Sequence, residues 1–197
     1  SMKNQLSLIF IGFIVLVGCS KRPTFTVSGT LTNAQDQTIY LEHTALLGTT
    51  LVDSCHIDTD GNYSLEAPTP TYPDFYRLRV DSRSLPLAID STEHVQVSAS
   101  LDSLPYTLNI IGSEASVHMA QLRALARRTS REELRQQTQK IILANPRSLV
   151  AYYALFLKQN GLPIWDMADP SDRRLYQAVA TSINVSVGFL VQRPASH

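Results

Sequence analysis

The chain has 197 residues, a formal net charge of +0 and 44% hydrophobic residues, enough for one ordinary core or for a small domain with a helical extension. Neutrality argues against a dedicated nucleic-acid binder, which would carry an excess of Lys and Arg.

Ser1 ahead of Met2 reads as a cloning scar, which makes Met2 the natural initiator. Lys3 precedes the apolar run Leu6 to Val17, roughly a dozen residues where a bilayer span needs ~20. This pattern predicts a signal peptide over 1–18. The run ends in Leu16-Val17-Gly18-Cys19, and all four positions resemble the bacterial lipobox: aliphatic, small or aliphatic, glycine or alanine, then cysteine. The resemblance implies export, diacylglyceryl transfer to the Cys19 sulfur, cleavage after Gly18 and acylation of the new amine. Cys19 is therefore the expected lipidation site, and 19–23 the tether. Several acyl chains anchor stably where a single one, at ~0.8 kcal/mol per buried methylene, is marginal. A non-lipidated secretory signal or an N-terminal anchor helix is the plainer alternative. Ser20 is not the aspartate that resembles an inner-membrane retention signal, and Lys21 and Arg22 are basic where surface-export signals carry acids. The expected address is the periplasmic face of the outer membrane. With Cys19 lipidated, Cys55 is left without a disulfide partner, and a buried thiol behaves as a small hydrophobe.

From Thr24 to Ile111 the apolar residues recur with period two: Phe25, Val27, Gly29 and Leu31, then Ile39 and Leu41, then Tyr76, Leu78 and Val80, then Val95, Val97 and Ala99. Such alternation marks half-buried strands. Turn residues interrupt them at 33–37, 47–49, 58–61, 68–73, 81–84 and 90–93. The stretch Leu51 to Leu65 predicts the central hairpin of an antiparallel sheet, with Asp60-Gly61 supplying the positive φ of its turn. About eight short strands over 24–112 predict an antiparallel β-sandwich, with no helix between them long enough for a parallel crossover.

After Gly112 the spacing becomes helical, giving a helical region over 113–193 and a C-terminal tail at 194–197. Val117, Leu122, Leu125 and Ala126 outline a first helix, and Ser130 with Glu133 matches a capping box that opens a second. Asn145-Pro146 predicts a cap and first-turn proline for a third, Leu149 to Asn160, apolar on nearly every side. Asp169-Pro170 repeats that signal ahead of Leu175, Val179, Ile183 and Val187, the fourth. The fold class is thus mainly β with about four C-terminal helices.

The segments FTVSGTL, TIYLEH, LVDSCHIDTDGNYSLEA, FYRLRVD, LPLAIDSTEHVQVSASL and NIIGSEA together resemble the β domain of unknown function, 4369 type, found at the N-terminus of thioredoxin-like envelope lipoproteins. The residues that carry the resemblance are Phe25, Gly29, Ile39, Tyr40, Leu41, Asp53, Ser54, Asp58, Gly61, Tyr63, Gly112 and Ser113. NPRSLVAYYAL also resembles the helical linker such proteins place next. The resemblance implies a following thioredoxin-fold domain with a Cys-x-x-Cys motif, of the AhpC/TSA or thiol-disulfide oxidoreductase kind. No such motif occurs in these residues, and none surrounds Trp165. Either the chain is a natural short version, or it is trimmed ahead of the redox domain.

Each chemical candidate competes with a structural role. Cys55-His56 invites a thiolate-imidazole reading, but neighbours in a strand point to opposite faces, which favours a packed cysteine. Ser54 and His56 share a face beside Asp53, without a glycine-flanked serine elbow. Asp58-Thr59-Asp60-Gly61-Asn62 resembles the start of a calcium loop with its glycine two places early and Thr69 in place of the twelfth-position glutamate, so a plain turn fits better. His43, His56, His94, His118 and His197 lack close ligand spacing. Arg123, Arg127, Arg131 and Arg135 lie four apart and would form a basic stripe for phosphates or acidic glycans if the two helices were continuous; the cap at Ser130 interrupts them, and with Glu132 and Glu133 nearby a solvated helix face is the plainer reading. Asp90-Ser91-Thr92 and Asp102-Ser103-Leu104 resemble O-glycan acceptor sites.

No catalytic, cofactor-binding or metal residue is expected. The leading expectation is a non-catalytic, lipid-anchored periplasmic binding or interaction module, joined to the membrane through Cys19 and to an envelope protein partner. The alternative is the accessory N-terminal region of a thioredoxin-like oxidoreductase. A carbohydrate-binding sandwich, from the aromatics Tyr72, Phe75 and Tyr106, is a third. Nucleic acid is not an expected partner.

Overall fold

The structure, a computed structural model, describes residues 21–45 and 47–186. The signal-peptide reading over 1–18, the lipidation site Cys19 and the end of the helical region beyond Ser186 lie outside the described residues. Eight strands fill the first part: β1 (Thr24–Thr32), β2 (Thr38–Ala45), β3 (Gly48–His56), β4 (Asn62–Pro68), β5 (Asp74–Val80), β6 (Arg83–Ile89), β7 (His94–Ser100) and β8 (Leu108–Ile111). They form two four-stranded sheets of order β4-β1-β7-β8 and β3-β2-β5-β6. Helices α1 (Glu114–Arg128), α2 (Arg131–Ala144), α3 (Leu149–Leu155) and α4 (Pro170–Ser186) follow, with a two-stranded ribbon, β9 (Lys158–Gln159) and β10 (Leu162–Pro163), after α3. The mainly β fold with a helical tail is as the patterning predicts.

The period-two residues meet between the sheets. Phe25, Val27, Ile39, Leu41, Leu65, Leu85, Leu87, Ile89 and Val95 are all at most 1% exposed and belong to one core. A second core, around Leu134, Ile142, Ala151, Ala154, Ile164 and Leu175, holds the helices together. Burial of this apolar surface is the main stabilising contribution in both.

Two expectations about the sheets need correction. The stretch Leu51 to Leu65 is not a hairpin within one sheet: β3 pairs with β2, and β4 pairs with β1. Residues 57–61 form a corner that carries the chain from one sheet to the other. Ile57, fully buried, dives between the sheets and exchanges backbone hydrogen bonds with Gln37 and Asp36. The Asp58 carboxylate accepts from the Asp60 and Asn62 amides at 2.9 and 2.8 Å, and Gly61 takes φ 83°. Turn chemistry was legible; which strand edge each arm meets was not, because alternation is the same for one sheet or two. Second, the sandwich is not wholly antiparallel, since β1 and β7 run parallel. The long excursion through the other sheet supplies the crossover that a parallel pair needs, without a helix.

Edges are managed differently on the two sides. Edge strands β3 and β4 lie beside each other, where the Glu66 amide donates to the Asp53 carboxylate at 2.8 Å. On the other side α1 covers β6. The Ala88 amide donates to Ser116 Oγ at 2.9 Å, and the Ser113 and Ser116 hydroxyls donate to the Ala88 carbonyl at 2.8 and 3.2 Å. Ser113 also accepts from the Ser116 amide as the N-cap of α1. Two serines thus satisfy a free strand edge and start a helix together.

Inside the first sheet, Tyr63 of β4 stands opposite Gly29 of β1, crosses over it, and donates from its hydroxyl to the Val97 carbonyl of β7 at 2.8 Å. Gly29 has φ 153°, and a Cβ there would lie 2.0 Å from the Val97 oxygen. The Val97 backbone, at this φ, leaves room only for glycine.

Among the helices, Ser130 caps α2 by accepting from the Glu133 amide, as expected. The cap of α3 is Ser148, which accepts from Ala151 N at 3.0 Å, instead of Asn145. Asn145-Pro146 ends α2 and turns the chain. The third helix also stops at Leu155, short of Asn160: from Lys158 the chain is extended in the β9–β10 ribbon, which turns at Asn160 and Gly161, both at positive φ.

Candidate functional site

Stopping α3 early opens a cleft of about 570 Å³ between the outer face of the β3-β2-β5-β6 sheet and the helices. Its floor is Thr44 near the end of β2, Phe75 near the start of β5 and Pro86 in the middle of β6. Tyr152, Tyr153 and Phe156 of the α3 segment form one wall, and Arg123, Ala126 and Arg127 of α1 the other, with Tyr106 and the β9–β10 turn closing the ends. The aromatic side is continuous: Phe75 to Tyr152 is 5.7 Å between ring centroids, and Tyr152 to Phe156 is 4.8 Å. Gln159 holds the ribbon in place, donating to the Ala126 and Thr129 carbonyls at 2.9 Å each, at the end of α1.

Charge in the cleft is one-sided. Arg123, Arg127 and Lys158 line it, and no carboxylate does. The Arg127 guanidinium stacks 4.0 Å from the Tyr106 ring centroid. Arg123 is only 7% exposed. Its Nε donates to the Pro105 carbonyl at 3.4 Å and its Nη1 to the Tyr153 hydroxyl at 3.3 Å, both at the long limit. Nη2 has no partner. Among the described residues none of these three cations takes part in an ion pair.

The remaining arginines of the expected stripe part company, which corrects the reading of one solvated face. Arg131 donates to the Pro163 carbonyl at 2.7 Å. Arg135 stacks 4.2 Å from the Trp165 ring centroid and pairs with the buried Asp172 at 2.6 Å. The Arg135 guanidinium holds the Asp172 carboxyl below its ordinary range. Spacing four within a helix was correct for each half, but the break at Ser130 turns the two halves apart.

Other candidates fall into structural roles. Cys55 is a free thiol, half-buried against the core, and burial pushes its pKa up, away from thiolate character. His56 is exposed on the opposite face, 3.5 Å from Asp36. Asp53 spends its carboxylate on the Ser54 and Glu66 amides. His43 bonds Asp74 at 2.6 Å, and His94 bonds Thr26 at 2.9 Å. Among the described residues no three His, Cys, Asp or Glu side chains are grouped to hold a metal ion, and no helix is long and apolar enough to cross a membrane. Ser91 is exposed, whereas the Ser103 hydroxyl is taken up by the Ser100 and Thr107 carbonyls. Of the aromatics named from sequence, Phe75 and Tyr106 meet at the cleft, and Tyr72 does not. Glu42 is buried on the outer sheet face between Arg77 and Arg79; burial opposes its charge, but the two guanidiniums outweigh it and keep the pKa low.

The molecule is therefore a two-sheet β-sandwich with a helical cap and a cationic, aromatic cleft between them. Residues 25–118 match the family described as a domain of unknown function, DUF4369, a span that takes in β1 to β8 and the first turn of α1. Helices α2 to α4 and all of the cleft's helical wall lie beyond it. A search of curated proteins finds no match. Among solved structures the chain is similar to a 9R-lipoxygenase from Cyanothece PCC8801, at 10% identity with a TM-score of 0.29, over 75% of this chain and 27% of that one. The chain spans about a quarter of that protein's length, and a similarity this slight carries no argument about activity.

Proposed function

We propose that the protein is a non-catalytic binding module tethered to the cell envelope, taking its ligand in the cleft between sandwich and helices. The observation that carries the binding half is Arg123: a buried guanidinium without a counter-charge costs free energy in an unliganded protein unless something completes it. The tether half rests on the lipobox pattern ending at Cys19. The Pro23 carbonyl is pinned by the Thr69 amide at 2.9 Å, so the four residues from Cys19 give a reach of at most ~14 Å. The module would lie against the outer-membrane surface, facing the periplasm, with exposed Lys21 and Arg22 at the headgroups.

Feeding expressing cells an alkyne-tagged fatty acid tests the tether. Label in the membrane fraction, lost in Cys19→Ser, is expected; an unlabelled soluble protein would overturn it. For the binding half, the purified chain is scanned for thermal stabilisation by small-molecule fractions of envelope extract. Stabilisation lost in Phe156→Ala is expected, and a flat profile across all fractions would count against a ligand site.

A second reading is favoured by the match of residues 25–118 to DUF4369, the domain type whose resemblance implies a thioredoxin-fold partner. In that case the module positions a redox domain supplied by a longer chain or by another envelope protein. Co-purification of a Cys-x-x-Cys protein that is lost on deleting the β9–β10 ribbon would support it over a small ligand.

A further inference from the structure

Resting on the binding reading above, we propose that the cleft is specific for a small organic carboxylate carrying a flat ring, with Arg123 as the residue that reads the carboxylate. The guanidinium is planar, with paired donors that match a carboxylate two for two. Here one terminal nitrogen lacks a partner and the other has only a long one; Nη2 is closed to solvent, so an acid reaches the pair only as the Tyr153 hydroxyl moves aside. Nη1 is held only by a 3.3 Å bond to the Tyr153 hydroxyl, and Nη2 has no acceptor at all. An acid that displaces the Tyr153 hydroxyl takes both as a fork. Arg127 and Lys158 add positive potential at the mouth. The ligand body is set by the opposite wall, where Phe75, Tyr152 and Phe156 offer ring faces and Phe156 is 51% exposed. With no acidic lining side chain, a cationic or amine ligand is disfavoured by the same charges that attract an acid.

The test uses the full chain and two water-soluble probes of the same shape, 4-fluorophenylacetate and 4-fluorophenylacetamide, followed by 19F NMR titration. The acid is expected to bind at least about tenfold more tightly than the amide, as charge-assisted hydrogen bonds require. Arg123→Gln should bring the two within about twofold of each other. Arg127→Gln, an exposed change that leaves the core intact, should weaken the acid by about threefold more than it weakens the amide. Equal binding of acid and amide by the wild type, needing no variant at all, would overturn the carboxylate assignment while leaving the cleft a binding site. A preference that persists in folded Arg123→Gln would equally overturn it. Binding of neither probe, nor of inorganic phosphate, would sink both this assignment and the binding reading.

Discussion

Replacing Gly29 by alanine tests how the first sheet is built. The new Cβ would lie 2.0 Å from the Val97 oxygen and 2.7 Å from the Val97 carbonyl carbon, well inside contact, and its neighbour is backbone that cannot rotate aside. β1 and β7 must separate locally, and the 2.8 Å bond from the Tyr63 hydroxyl to that carbonyl is lost with them. A buried hydrogen bond left with unsatisfied partners costs about 1–3 kcal/mol, and holding a non-glycine residue at this φ adds about 1–3 kcal/mol. The sum, roughly 2–6 kcal/mol, is a large part of the ~5–15 kcal/mol that stabilises a typical domain. Urea denaturation followed by far-UV circular dichroism reads it as a fall in midpoint at constant slope. Tyr63→Phe alone should cost about 1–2 kcal/mol. Because Gly29→Ala already breaks the Tyr63 bond, the double variant should be less destabilised than the two single costs combined. A Gly29→Ala loss below about 1 kcal/mol, or strict additivity with Tyr63→Phe, would refute this account of the ring over the glycine.

Further expectations follow from other parts of the fold. Ser113→Ala with Ser116→Ala exposes the Ala88 edge and should cost about 2–4 kcal/mol, less than additively, by the same denaturation assay. Asp172→Ala strands the Arg135 guanidinium against Trp165 and should cost about 3 kcal/mol in the helical region; the fluorescence of the single Trp165 reports it locally, and an unchanged emission and midpoint would count against the pair. Burial, with the Asp90 carboxylate beside it, pushes the Glu93 carboxyl up to about 7 from 4.5. The folded state then keeps that proton after the unfolded chain has lost it, so stability should fall as pH rises from about 4.5 to about 7. Glu93→Gln should flatten that window. Asp172 has the opposite sign: its lowered pKa gives stability that is present near neutrality and lost as pH falls through the acid range.

The two sheets were legible because a half-buried strand writes its burial directly into its sequence. Phe25, Val27, Leu41, Leu78 and Val97 alternate and all face inward. Pairing was not legible, since β3 and β4 flank a strong turn signal yet join different sheets, and the choice is made by distant strands β2 and β1. The helix caps at Ser130 and Asp169 read correctly because capping is local. The end of α3 did not, because Tyr152, Tyr153 and Phe156 look like core on a longer helix until Asn160-Gly161 is recognised as a turn. That same misreading hid the cleft. Arg123 carried a signal: it lies four residues after Met119 and beside Leu122, on the stripe that faces inward. A cation on an apolar stripe is more informative than its spacing from other cations.

The position of β1 has a mechanical consequence. The end of the chain that carries Cys19 enters the first sheet through this central strand, flanked by β4 and β7. A pull directed along it loads the rungs on both sides together, in shear, whereas an edge strand would peel one rung at a time. An attachment made there is one the body can strain against without unravelling from its own leash.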